Sequence, residues 1–273
     1  MSGEPAGAAP SLAGLLRGRR AVVVALAAVT AASWLYMQVL TDRMLAMPGM
    51  AAPAMPGMPG MVMAGAVQPW TLAQAALTLL MWSVMMVGMM LPSASPMILT
   101  FAAVNARRRA RGDAFVPTAA FTSGYLIVWA GFSVAATAAQ FGLVAAALLA
   151  PMTAQASPIV GGVLFVAAGL FQLTPLKYAC LSRCRSPLDF IVNHWRDGTA
   201  GALKMGMSHG LHCLGCCWAL MALMFAGGAM NLLWMAALAA FVFAEKLFPA
   251  GRWIARGSGV LMVGYGAYLL AAA

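Results

Sequence analysis

Three observations predict an all-α protein, a polytopic transmembrane helical bundle of about seven spans (six or seven) with a cytoplasmic N-terminus. The 273 residues are 63% hydrophobic and only 8% charged, a balance foreign to soluble globular domains. Apolar runs of about 20 residues, the length that crosses a bilayer, recur along the chain. Basic residues cluster in short segments between those runs, as positive-inside topology requires. The same clustering explains the net charge of +10 through the lipid bilayer as partner, with no nucleic acid.

Residues 1–20 are small, Pro/Gly-rich and end in Arg17, Arg19 and Arg20, which predicts a cytoplasmic tail. Residues 21–40 form the first span; the run is long for a signal peptide and lacks a clear small-residue cleavage site. Residues 41–69 form an outer loop of Met, Pro, Gly and Ala, carrying Met44, Met47, Met50, Met55, Met58, Met61 and Met63. Prolines at 48, 53, 56 and 59 forbid a regular helix there. Thioethers are soft ligands that suit Cu(I), so the loop reads either as a metal-collecting segment or as a low-complexity tether.

Residues 70–273 make the core membrane domain. The second span, 71–91, has Met81, Met85 and Met89 at i, i+4 spacing, an intramembrane relay or, more simply, adaptable packing. Pro92 is expected to end it, with Ser93 and Ser95 capping the next segment. Residues 105–113 carry Arg107, Arg108, Arg109 and Arg111 and read as a cytoplasmic loop. A third span runs over 116–139, with a short continuation to 150, and a fourth over 159–173. Residues 188–205 read as an interfacial amphipathic piece. The fifth span covers 207–230, the sixth 232–248 and a short seventh 257–272, with Gly259, Gly264 and Gly266 available for close helix contact.

The chemistry concentrates in MSHGLHCLGCCW at 207–218. On a helix, His209 lies one turn from His212 and Cys213, and Cys216 one turn from both, with Cys217 at the shoulder of the stripe. Imidazoles and thiols bind soft and borderline metals such as Cu(I) and Zn(II). Any one of them would pass as packing, but polar groups held in lipid are costly and usually functional. QLTPLKYACLSRCRSP adds Cys180 and Cys184 one turn apart, among Lys177, Arg183 and Arg185, whose charge favours thiolate. Five cysteines near one face argue for metal ligands or reduced thiols over a disulfide framework. Near the end of the sixth span, Glu245 is a candidate partner of a histidine, a ligand or a proton relay. Its neighbour Lys246 would neutralise a thiolate or snorkel.

MWSVMMVGMMLPS, GYLIVW at 124–129, QLTPLKYACLSRCRSP, GLHCLGCCWALM and AEKLFP together resemble a bacterial family of predicted metal-binding integral membrane proteins, over roughly residues 70–272. The resemblance implies metal binding by Cys180, Cys184, Cys213, Cys216 and Cys217 and implies no particular reaction.

The expectation is a multi-pass protein of the bacterial inner membrane that binds a soft metal, copper as Cu(I) first, with zinc or another soft metal as alternatives. It would act in metal transport or in delivery to a cuproenzyme, with a metallochaperone or cuproenzyme assembly factor as partner. One competing reading is a membrane thiol-redox or haem electron-transfer protein, although two histidines one turn apart on one helix grip a haem poorly. Another is an assembly partner stabilised by zinc. No P-loop, paired-carboxylate site or Ser/His/Asp set is visible, so no enzyme activity is expected. The oligomeric state is not readable.

Overall fold

The computed structural model describes residues 12–46, 71–112, 116–150 and 153–273. The helices are α1 (Leu12–Leu45), α2 (Leu72–Ala110), α3 (Thr118–Ala145), α4 (Pro158–Gln172), α5 (Pro175–Arg185), α6 (Pro187–His194), α7 (Gly198–Ala222), the single turn α8 (Met224–Gly227), α9 (Leu232–Leu247) and α10 (Gly251–Ala272). Among the described residues, five helices are long and apolar enough to cross a membrane: α1, α2, α3, α7 continued through α8, and α10. The pair α4–α5, bent by 67°, makes a sixth if taken as one span. Helix α9, expected as a span of its own, has only 16 residues.

Helix α2 does not stop at Pro92. It runs through both Pro92 and Pro96 to Ala110, because each carbonyl that a proline leaves without its helical donor finds another. Pro92 has no N–H for the Gly88 carbonyl, and the Trp34 indole of α1 donates to it at 3.2 Å. Pro96 frees the Pro92 carbonyl, which takes a bond from the Ser95 hydroxyl at 2.7 Å. This is how membrane helices tolerate proline. Ser93 likewise bonds back to the Met90 carbonyl inside the helix at 2.9 Å and caps nothing.

The expected break near residue 206 is also absent. The interfacial piece is only α6, and α7 already begins at Gly198 behind Asp197. The His/Cys ladder therefore lies in the middle of its helix rather than near one end.

Glycines set the closest helix approaches. A Cβ on Gly206 would overlap the Phe121 carbonyl, and one on Gly124 the Leu203 carbonyl, so α3 and α7 meet backbone to backbone. Helix α10 lies antiparallel along α4 by the same device: a Cβ on Gly259 would stand 2.9 Å from the Gly169 carbonyl, and one on Gly266 2.7 Å from that of Gly162. Gly264, expected to join them, faces open space. Close approach of small residues is what holds helices together where lipid cancels the hydrophobic drive.

Basic side chains gather at one end of the bundle. Arg108, at the end of α2, pairs with Asp197 at 3.0 Å and stacks over Trp195. Arg185, at the end of α5, donates to the carbonyls of Phe248 and Pro249 at 2.6 and 2.9 Å.

Candidate metal centre

Helix α7 carries the ladder because its ligand-type residues fall at 209, 213, 216 and 217, all buried on the side that faces the bundle. Helix α5 crosses this side. Gly215 lets it come close, since a Cβ there would stand 2.8 Å from the Cys180 sulfur. Cys180 and Cys184 are both half-buried in that crossing.

The thiols form a chain. Cys184 of α5 lies beside Cys216 of α7, and Cys217 lies beside both Cys216 and Cys213. Cys216 and Cys217 also donate to the Cys213 carbonyl at 3.1 and 2.9 Å, which holds both sulfurs along the helix axis. At the far end, the Cys213 sulfur accepts from Lys246 of α9 at 2.9 Å and lies 3.2 Å from the Tyr125 hydroxyl of α3. Lys246 also donates to Ser93 of α2 at 3.0 Å, and Tyr125 to the Met90 carbonyl at 3.1 Å. Five helices thus contribute to one buried file of sulfur and its donors.

The two histidines part company. His209 is buried between the rings of Phe121, Tyr125 and Phe190, and its Nδ1 has no hydrogen-bond partner. His212 is half-buried and satisfied at both nitrogens, with Nδ1 2.6 Å from the Ser208 carbonyl and Nε2 2.6 Å from Arg183.

The charged residues are arranged differently from the sequence expectation. Lys177, read as a cation beside Cys180, is fully buried and bonds both oxygens of Glu245, at 2.9 and 2.7 Å. Gln172 completes the group by donating to Glu245 at 2.7 Å and to Ser258 at 3.1 Å. Glu245 therefore bonds no histidine. Arg183 turns to His212, and Arg185 to backbone carbonyls. Sequence does not single out Tyr125 or Gln172, and it gives Ser93 and Lys177 other roles, a cap and a neighbour of the thiols. A buried lysine in an apolar span needs a partner, and that rule applies to Lys177 as it does to Lys246.

Met81, Met85 and Met89 are buried in the core of α2. Met44 lies in the last turn of α1, half-buried. Met47, Met50, Met55, Met58, Met61 and Met63 lie outside the described residues.

Residues 79–269, which include every residue of this centre, match the PpoB2 family, described as copper chaperone. The chain belongs to the PpoB2 copper chaperone family. No curated protein and no solved structure matches it. The family ties the chain to copper, and the donor set agrees with it: thiols are the side chains that select Cu(I). Among the described residues, no three His, Cys, Asp or Glu side chains converge into a group that could hold an ion. The sulfurs make a file, whereas a structural zinc site closes four ligands around one point.

Proposed function

We propose that this PpoB2-family protein is a multi-pass membrane copper chaperone that carries Cu(I) on the thiols of α5 and α7 and hands it to a partner, in transport or in cuproenzyme assembly. The observation that carries this reading is the gathering of Cys184 of α5 with Cys216, Cys217 and Cys213 of α7 along one helix crossing. A pair of neighbouring sulfurs suits a soft monovalent ion. A third sulfur beside each pair lets the ion pass by ligand exchange, one bond forming as another opens. Cys180, held against Gly215, and His209, with its unpartnered Nδ1, are the adjoining donors. On this reading the basic end faces the cytoplasm of the bacterial cell, and the methionines of 47–63 collect copper on the other side.

The chemistry asks each side chain for one thing. The thiols lose their protons as copper binds. Lys246, beside Cys213, offsets the negative charge of a copper–dithiolate in a place where water cannot. Tyr125 fixes the position of the same sulfur. The Lys177–Glu245 pair is neutral as a unit and anchors α9 against α5, so that Lys246 reaches the file.

The test is metal content of the full chain, purified in detergent under reducing conditions and loaded with Cu(I). The wild type should hold near-stoichiometric copper, and Cys184→Ser/Cys216→Ser should lose most of it while keeping its helical circular dichroism. Copper retained unchanged by that variant, or zinc displacing copper in the wild type, would overturn the proposal.

A further inference from the structure

Away from the sulfur file, at the basic end, α5 and the start of α10 border an open cavity of about 300 Å³ lined by Tyr178, Leu181, Ser182, Arg185, Ser186 and Arg252. Two guanidinium groups lie over its tyrosine, those of Arg252 and Arg256, at 5.3 and 5.5 Å from the Tyr178 ring. A third, that of Arg185, lines the cavity while one of its nitrogens donates to the Phe248 and Pro249 carbonyls. Among the described residues, none of these arginines has a carboxylate partner; the ion pairs are Arg108–Asp197 and Lys177–Glu245. The Tyr178 hydroxyl is shielded from water and also lacks a hydrogen-bond partner.

Each of these features carries a cost when the cavity is empty. Clustered cations repel one another, and a shielded hydroxyl without an acceptor forfeits a bond. A phosphate group answers both. It accepts from the remaining guanidinium N–H groups, from the phenol and from the Ser186 hydroxyl, while Ser182 already donates to the Ala179 carbonyl at 3.0 Å. Charge-assisted bonds of this kind are the strong ones. The position fits as well. Basic pockets between membrane helices are where anionic headgroups sit, and exposed Trp253, on the first turn of α10 and stacked on Arg256 at 5.6 Å, is the kind of side chain that marks the headgroup level.

We infer that the α5–α10 cavity is a phosphate-binding site, built for the phosphate of an anionic lipid headgroup or for free phosphate. It involves none of the copper-binding residues, so it stands or falls independently of the copper reading. An occupied site would tie α10 to α5, and through α5 would steady the helix that presents Cys180 and Cys184.

The experiment uses the full-length protein in neutral detergent micelles, titrated separately with phosphatidylglycerol, phosphatidylcholine and inorganic phosphate. Retained lipid is read by native mass spectrometry and protection by thermal unfolding. Phosphatidylglycerol should bind about tenfold more tightly than phosphatidylcholine, and Arg252→Gln/Tyr178→Phe should remove most of that preference. Protection by inorganic phosphate to the same extent, lost in the same variant, assigns the site to free phosphate. Should the double variant fail to fold, Tyr178→Phe alone removes one hydroxyl, keeps the ring beneath the arginines and should still weaken binding severalfold. Equal binding of both lipids without any effect of phosphate, or unchanged binding by the variants, would overturn the inference.

Discussion

Cys213 and Cys216 stand one turn apart on α7 yet answer to different neighbours. Cys216 meets the thiol of Cys184, whereas Cys213 meets the ammonium of Lys246 and the hydroxyl of Tyr125. That difference makes Lys246 the residue whose replacement separates copper binding from folding. Lys246→Met keeps length and apolar volume and removes the donor. The partners of Lys246 are a hydroxyl and a thiol, so its removal strands no opposite charge and relieves the desolvation cost of a buried ammonium. The thermal midpoint should therefore hold or rise, while Cu(I) affinity, measured by competition with a chromophoric chelator, falls by about tenfold. A variant that loses stability and keeps its affinity would return Lys246 to a purely structural role. The Lys177–Glu245 pair behaves in the opposite way. Removing one member strands the other charge, at a cost of about 3–5 kcal/mol. Lys177→Met and Glu245→Gln should each lower the unfolding midpoint in micelles. The two together should cost much less than the sum of the single changes, a coupling that a double-mutant cycle reads directly.

At the scale of elements, Tyr125 reaches the Cys213 sulfur because α3 and α7 touch at their backbones. Gly206→Ala would place a methyl group on the Phe121 carbonyl, force the helices apart and move Tyr125, one turn further along α3, away from Cys213. It should destabilise the protein and weaken copper binding together. Gly264→Ala, on a helix face with nothing within 4 Å, should leave binding unchanged and raise stability by up to about 1 kcal/mol. Thermal unfolding and copper titration of the two variants check both statements. The contrast also marks what sequence could show. Apolar run length and basic clusters betray membrane helices because lipid imposes them locally, and the ladder was legible because i, i+4 spacing is a property of one helix. Which glycine meets a neighbour, or which lysine finds Glu245, depends on the register of two helices, and no spacing encodes that. Pro92 failed as a stop signal for the same reason. Its freed carbonyl is rescued by Trp34, which is 54 positions away in the chain.

For the whole molecule, the length of α9 is the feature that organises the rest. Its 16 residues rise about 24 Å, short of the ~30 Å hydrocarbon core. Its last turn ends at the basic end, beside the carbonyls that Arg185 holds, and one turn inward its charges are met by protein, Glu245 by Lys177 and Lys246 by Cys213 and Ser93. The chain then returns along α4 in α10, which brings Leu270 to Gly162 near the start of α4, at the end of the bundle opposite the arginines. If α9 carries the chain from one side to the other despite its length, the C-terminus lies on the side opposite the Arg107–Arg111 segment. An epitope tag after Ala273 should then be reached by antibody on spheroplasts with intact inner membranes, whereas one inserted after Gly112 should be reached only after the membrane is opened. Both tags on one side would mean that α9 dips into the membrane and turns back. The buried charges of Glu245 and Lys246 would then line a re-entrant loop, and the route from the sulfur file to the basic end would be open to water.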